Sequence, residues 1–88
     1  MSFRVVVARS AARRLAEHLP EAVTAACTEF VFGPLADDPR RVGAPLRKPF
    51  EGQRRARRGE YRVRYRIEDE TRTVHVLDID HRRDAYRS

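Results

Sequence analysis

Fifteen residues, QRRARRGEYRVRYRI at 53–67, hold seven arginines, and HRRDAYR follows at 81–87. A guanidinium is always charged, and its fork of donors matches phosphate oxygens two at a time. In the second half of the first stretch, Arg62, Arg64 and Arg66 alternate with Tyr61, Val63, Tyr65 and Ile67. On an extended strand, side chains two apart share a face and lie about 7 Å from each other. The three arginines therefore form a basic ridge able to follow a phosphate backbone. Tyr61 and Tyr65 fall on the other face and read as core. At the chain's end, His81 or Tyr86 could carry a proton, and Arg82 and Arg83 could stabilise charge developing on a phosphate. His18 and His75 read as structural.

The charge is concentrated in one segment. Residues 40–66 hold eleven basic and two acidic side chains, hence +9 in a chain whose net charge is +6. The remainder is slightly acidic, so a localised positive surface is expected, with an anionic partner. Lys48 is the only lysine beside eighteen arginines. Asp78 and Asp80 alternate on one strand and read as partners for neighbouring arginines. They lack a third ligand for a metal, and no metal or other cofactor is expected.

Eighty-eight residues suit one small domain, 1–88, of two layers. The single cysteine, Cys27, rules out an internal disulfide and a cysteine-held zinc, which fits a reducing, cytoplasmic setting. SFRVVVA at 2–8 is too short for the apolar part of a signal peptide, and no run reaches the ~20 apolar residues of a membrane span. A cytoplasmic protein without membrane attachment is expected.

The elements that must position these residues follow from periodicity. FRVVVA (3–8) reads as a first strand. Ser10 is placed to cap a helix with an apolar stripe of Ala12, Leu15, Ala16 and Leu19. Pro20 suits the first turn of a second helix that carries Val23, Ala26, Cys27, Phe30 and Val31, ended or kinked at Gly33-Pro34. Residues 36–52 read as mostly loop, pinned by Val42, Leu46 and Phe50. Strands are expected at 61–67 and 72–80, joined by a polar turn at 68–71. The fold class is α+β: a mainly antiparallel sheet with two N-terminal helices packed on one face.

FVFGPLADDPRRVGAPLR, ARRGEYRVRY and HRRDAYR, in this order, resemble the RelE/ParE toxin superfamily, and within it the RelE-type toxins of bacterial type II toxin–antitoxin pairs. The resemblance covers nearly the whole chain. It implies a β-α-α-β-β-β fold related to microbial ribonucleases. It implies a metal-independent endoribonuclease, an mRNA interferase that cleaves mRNA in the ribosomal A site and inhibits translation. It also implies a cognate acidic, RelB-like antitoxin, with promoter DNA bound only through the toxin–antitoxin complex. By resemblance, Arg62 matches the strand arginine at the scissile phosphate, Arg82 the arginine after the last strand, and Tyr86 the tyrosine that stacks on an mRNA base. Arg55 falls where the family has a basic residue. Gln53 falls where it has another, so Lys48, Arg54 or Arg57 would supply the missing charge. Arg58, Arg64, Arg66 and Arg83 complete the expected RNA- and ribosome-binding set.

Such cleavage needs an activated 2′-hydroxyl, a stabilised phosphorane and a protonated leaving oxygen. Arginine serves the second need and stays protonated, so it is a poor base. The base is then Tyr86, His81, which titrates in the useful range, or a ribosomal group. Two other readings differ in class: a ParE-like, non-enzymatic inhibitor of DNA gyrase, and a degenerate toxin that only binds.

Overall fold

The structure, a computed structural model, describes residues 2–81. Strand β1 (Arg4–Val7) leads into helices α1 (Arg9–Glu17) and α2 (Glu21–Phe30). Strands β2 (Ala44–Pro45), β3 (Arg54–Arg58), β4 (Tyr61–Glu68) and β5 (Thr73–His81) follow. They form one sheet in the order β1-β5-β4-β3-β2. β1 runs parallel to β5, and the other pairs are antiparallel. The α+β class and the mainly antiparallel sheet are as expected.

Several boundaries differ from the sequence reading. Ala8, in extended conformation, occupies the cap position of α1, and no side chain caps the helix. Ser10 lies inside its first turn. The core contacts here are Ala11, buried, and the half-buried Leu15 and, just past α1, Leu19, whereas Ala12 and Ala16 are exposed. On α2, Val23, Cys27, Phe30 and Val31 are buried, but Ala26 is exposed. Pro20 precedes α2 in extended conformation rather than entering its first turn.

Gly33-Pro34 does not stop the second helix. Val31–Leu35 forms a wider π-helical turn that contains Pro34. Proline has no N–H and its ring clashes with a carbonyl four residues back in an α-helix. The wider turn accommodates it and keeps Val31 and Leu35 fully buried.

Residues 36–52 include a two-residue strand, β2, and β3 follows directly, so the sheet has two strands more than the 61–67 and 72–80 hairpin plus β1. Arg54–Arg58 is short and four-fifths arginine, which hides a strand from any hydrophobic pattern. β3 and β4 are joined by Gly59-Glu60, with Gly59 at φ 53°, the left-handed geometry a two-residue hairpin needs at its first position. The β4–β5 turn closes at Arg72, whose φ of 49° is uncommon for a residue with a side chain. Its guanidinium lies 4.4 Å from the Phe3 ring centre.

The core lies between helices and sheet and is built from Ala11, Val23, Cys27, Phe30, Val31 and Leu35 against Ala56, Tyr61, Val63, Tyr65, Val74, Val76 and Ile79. Val74, Val76 and Ile79 cannot all face one side of a regular strand. A bulge solves this: Arg64 pairs with Asp78, Tyr65 pairs with Val76, and Leu77 is the extra residue.

Candidate functional site

Strand pairing decides which arginines share a face, because residues directly opposite each other point the same way and sit about 5 Å apart. Tyr61, Val63 and Tyr65 are buried in the core. Arg62, Arg64 and Arg66 therefore occupy the opposite face of β4, as the alternation predicts. The register adds Arg57 beside Arg62 and Arg55 beside Arg64 on β3. On the other flank it adds Asp80 beside Arg62 and Asp78 beside Arg64.

The acids on that flank do not neutralise the ridge evenly. Arg64 reaches Asp78 at 3.7 Å, and Arg66 reaches Glu68 at 3.6 Å. Asp78 and Asp80 are both engaged by Arg14 of α1, at 3.4 and 3.1 Å. Among the described residues, no carboxylate lies within ion-pairing distance of Arg55, Arg57 or Arg62. Uncompensated among the described residues, these three guanidinium groups on adjacent strands repel one another, and an anion placed between them would relieve that cost.

Arg54 and Arg58 do not join this face. Their partners across the ladder are Tyr65 and Tyr61, so both project toward the helix side. Arg54 donates to the carbonyls of Arg40 and Gly43 at 2.9 and 3.0 Å. Arg58 donates to the carbonyls of Arg57 and Val42 at 2.8 and 3.3 Å and lies 4.6 Å from the Phe30 ring centre. These two arginines fasten the loop before β2 to the sheet. A signal was present: Ala56 is the one apolar residue of RRARR, and a period of two puts Arg54 and Arg58 on its side.

His81 ends β5 opposite Tyr61, is 8% exposed and stands on the core face, away from Arg62. His75 lies 3.3 Å from Glu68. Gln53 is half-buried, with its side-chain oxygen unpartnered. Lys48 is exposed, 3.8 Å from Glu51. Arg82, Arg83 and Tyr86 lie outside the described residues.

Two residues escape the sequence reading. Arg14, on a helix remote in sequence, holds both aspartates of the flank. Phe50, read as a loop anchor, is 42% exposed and lies under Arg64, 4.9 Å from guanidinium carbon to ring centre. Val42 does the anchoring, packed against the core, while Leu46 is half-buried. The described face thus offers fixed positive charge, a fan of hydrogen-bond donors and one exposed ring. It suits binding of phosphate and stabilisation of charge on it.

Residues 5–86 match the family described as ParE toxin of type II toxin-antitoxin system, parDE, and the chain belongs to that family. It is 48% identical to "Toxin RelE" of Mycobacterium tuberculosis over 97% of this chain and 87% of the relative. It is 53% identical to "Toxin RelG" of the same organism over 86% of this chain and 87% of the relative. The fold superposes on a chain of the crystal structure of the toxin–antitoxin complex RelBE2 from M. tuberculosis with a TM-score of 0.89, at 46% identity over 93% of each chain. The RelE-type toxin fold expected from the sequence blocks is therefore the fold observed, and the protein is a RelE-family toxin.

Proposed function

We propose that this toxin is a ribosome-dependent endoribonuclease that cuts mRNA in the ribosomal A site and so halts translation. The observation that carries the reading is the uncompensated trio Arg55, Arg57 and Arg62 on a sheet face of a chain about half identical to toxins named RelE and RelG. In the proposed reaction the 2′-hydroxyl attacks the adjacent phosphorus and the 5′-oxygen of the next nucleotide leaves. Arg62, aided by Arg55 and Arg82, stabilises the phosphorane. Arg57, Arg64, Arg66, Arg83 and Lys48 hold RNA and ribosome. Arginine cannot accept the proton at ordinary pH. The burial of His81 on the core face favours Tyr86 or a ribosomal group for proton transfer.

The proposed partner is an acidic antitoxin that folds over the toxin, covering the basic face or making the complex too bulky for the A site. Promoter DNA would be bound through the antitoxin. An apolar recess of about 330 Å³ between α2 and the β3–β4 turn, lined by Ala22, Val23, Ala26 and Tyr61 among others, supports this reading. It offers contact area on the helix side, where the exposed alanines of α2 lie.

Primer extension on RNA from cells induced for this protein alone tests the reading. Cuts within translated frames, with untranslated transcripts spared, are expected. Equal cutting of both classes removes the ribosome from the mechanism. The description of the matching family favours a second reading, a ParE-like inhibitor of DNA gyrase. Intact mRNA with gyrase-linked DNA damage would select it.

A further inference from the structure

The geometry points to Phe50 as a nucleobase-stacking residue at the edge of the arginine face, an assignment that rests on the nuclease reading and deepens it. Phe50 is apolar yet 42% exposed. The Arg64 guanidinium carbon lies 4.9 Å from its ring centre, which places the ring on the face that carries Arg55, Arg57 and Arg62. Arg64 covers part of the ring, and the exposed remainder is open to a second planar group.

The backbone that carries the ring is held by hydrogen bonds. Its own N–H donates to the Arg47 carbonyl, and its carbonyl accepts from the Gln53 N–H, both at 3.0 Å. Leu46 N–H donates to the Gln53 carbonyl at 2.9 Å, closing the loop at its base beside β3. A stacking platform needs this fixity, since an ordered ring loses little entropy when a base docks.

The surroundings select the ligand. A ring beside a cluster of guanidinium groups suits a ligand with phosphates and flat faces together, which is single-stranded nucleic acid. Phosphates follow Arg55, Arg57 and Arg62, and a base near the scissile link lies on Phe50. Arg64, fixed between Asp78 and the ring, contributes a cationic edge to the stack. Stacking would set the position of the RNA rather than its chemistry.

The test uses ribosomes with an empty A site, programmed with mRNAs that carry one abasic nucleotide at successive positions around the cut. Phe50→Leu keeps an apolar side chain and all charges but removes the flat face. It should raise the half-saturating toxin concentration by about 5- to 150-fold, the range that loss of one base stack gives, with the saturating rate unchanged. Phe50→Tyr should restore binding. The penalty of Phe50→Leu should vanish on the mRNA whose abasic position faces the ring. Wild-type binding by Phe50→Leu, or an equal penalty at every abasic position, overturns the assignment.

Should wild type cut no RNA, the nuclease reading fails and stacking is decided separately. The chain contains no tryptophan, so the emission of Phe50→Trp reports this position alone. Saturable quenching by a single-stranded RNA decamer, but not by inorganic polyphosphate, supports a base on the ring. Absence of quenching, or equal quenching by both, overturns it.

Discussion

Arg14 Nη1 lies 3.1 Å from Asp80 Oδ1, on the one carboxylate that the β4–β5 register sets directly opposite Arg62. A strand neighbour that should neutralise Arg62 is thus turned toward a helix. Arg14 also sits 3.4 Å from Asp78, the acid opposite Arg64. α1 thereby engages both acids that the register places beside the arginine ridge.

Removing Arg14 should therefore weaken the arginine face from a distance. In Arg14→Gln, Asp80 loses a cationic partner and is freer to turn toward Arg62 across the ladder. RNA cleavage should fall by about two- to fivefold, the scale of a partly exposed ion pair. Arg14→Gln combined with Asp80→Asn should recover most of it. Cleavage rates for the two variants, measured over a range of salt, decide the matter; wild-type rates in Arg14→Gln would show that Asp80 does not move.

Arg62 and Arg54 should separate activity from stability. Arg62→Ala should lower the cleavage rate by about 10²–10³, roughly 3–4 kcal/mol, with an unchanged melting temperature. Arg82→Ala should match it in rate. Arg62→Lys should also be poor, because a point charge does not replace a planar fork. Arg54→Ala abandons two carbonyls of the loop before β2 and should instead cost about 1–3 kcal/mol of stability. Arg64→Ala and Arg66→Ala should weaken RNA binding mildly and in proportion to salt. Rate assays paired with thermal unfolding check all six.

Gly43 is needed for a packing reason. A Cβ there would meet the Arg55 carbonyl at 2.9 Å and the Tyr65 hydroxyl closer still. That hydroxyl is buried and donates to the Pro39 carbonyl. Gly43→Ala should destabilise by about 1–3 kcal/mol, as overpacking does. Tyr65→Phe should cost about 0.5–1.5 kcal/mol for the lost hydrogen bond. Because the phenylalanine removes the closest of these contacts, the double variant should be more stable than the two losses added together. Urea unfolding of the four proteins gives the coupling directly.

Acid should loosen the β4–β5 turn before it unfolds the core. Asp69 accepts both arms of Arg40, at 2.8 and 2.7 Å, and these hydrogen bonds hold its carboxyl below the usual carboxylate range. Glu68 is also held low, chiefly by the Thr71 hydroxyl and then by His75 and Arg66. A carboxyl whose folded pKa is depressed adds stability above its unfolded value, near 4, and loses it as pH falls through the folded value. The melting temperature should thus be flat through neutrality and drop below about pH 4. In Asp69→Asn the drop should be shallower. A melting profile from pH 7 to pH 2.5 for both proteins measures the difference.

The sequence by itself determined the two faces of β4. Strict alternation over 61–67 admits one solution, with tyrosines and valine inside and Arg62, Arg64 and Arg66 outside. It also fixed the helices, the antiparallel pairing of the last two long strands and the family, because these follow from local periodicity and ordered blocks. Three matters were decided only by the tertiary structure. The bulge at Leu77 arises because Val76 and Ile79 must both reach the core, a demand set by the helices above them. The attachment of Arg54 and Arg58 to the carbonyls of Arg40, Gly43 and Val42 depends on the loop before β2 packing beside β3. The partner of Asp80, the acid opposite Arg62, is Arg14, more than sixty residues away in sequence and within 3.1 Å of it. Periodicity is a property of neighbours along the chain, whereas the partner of a charge is chosen by packing in space.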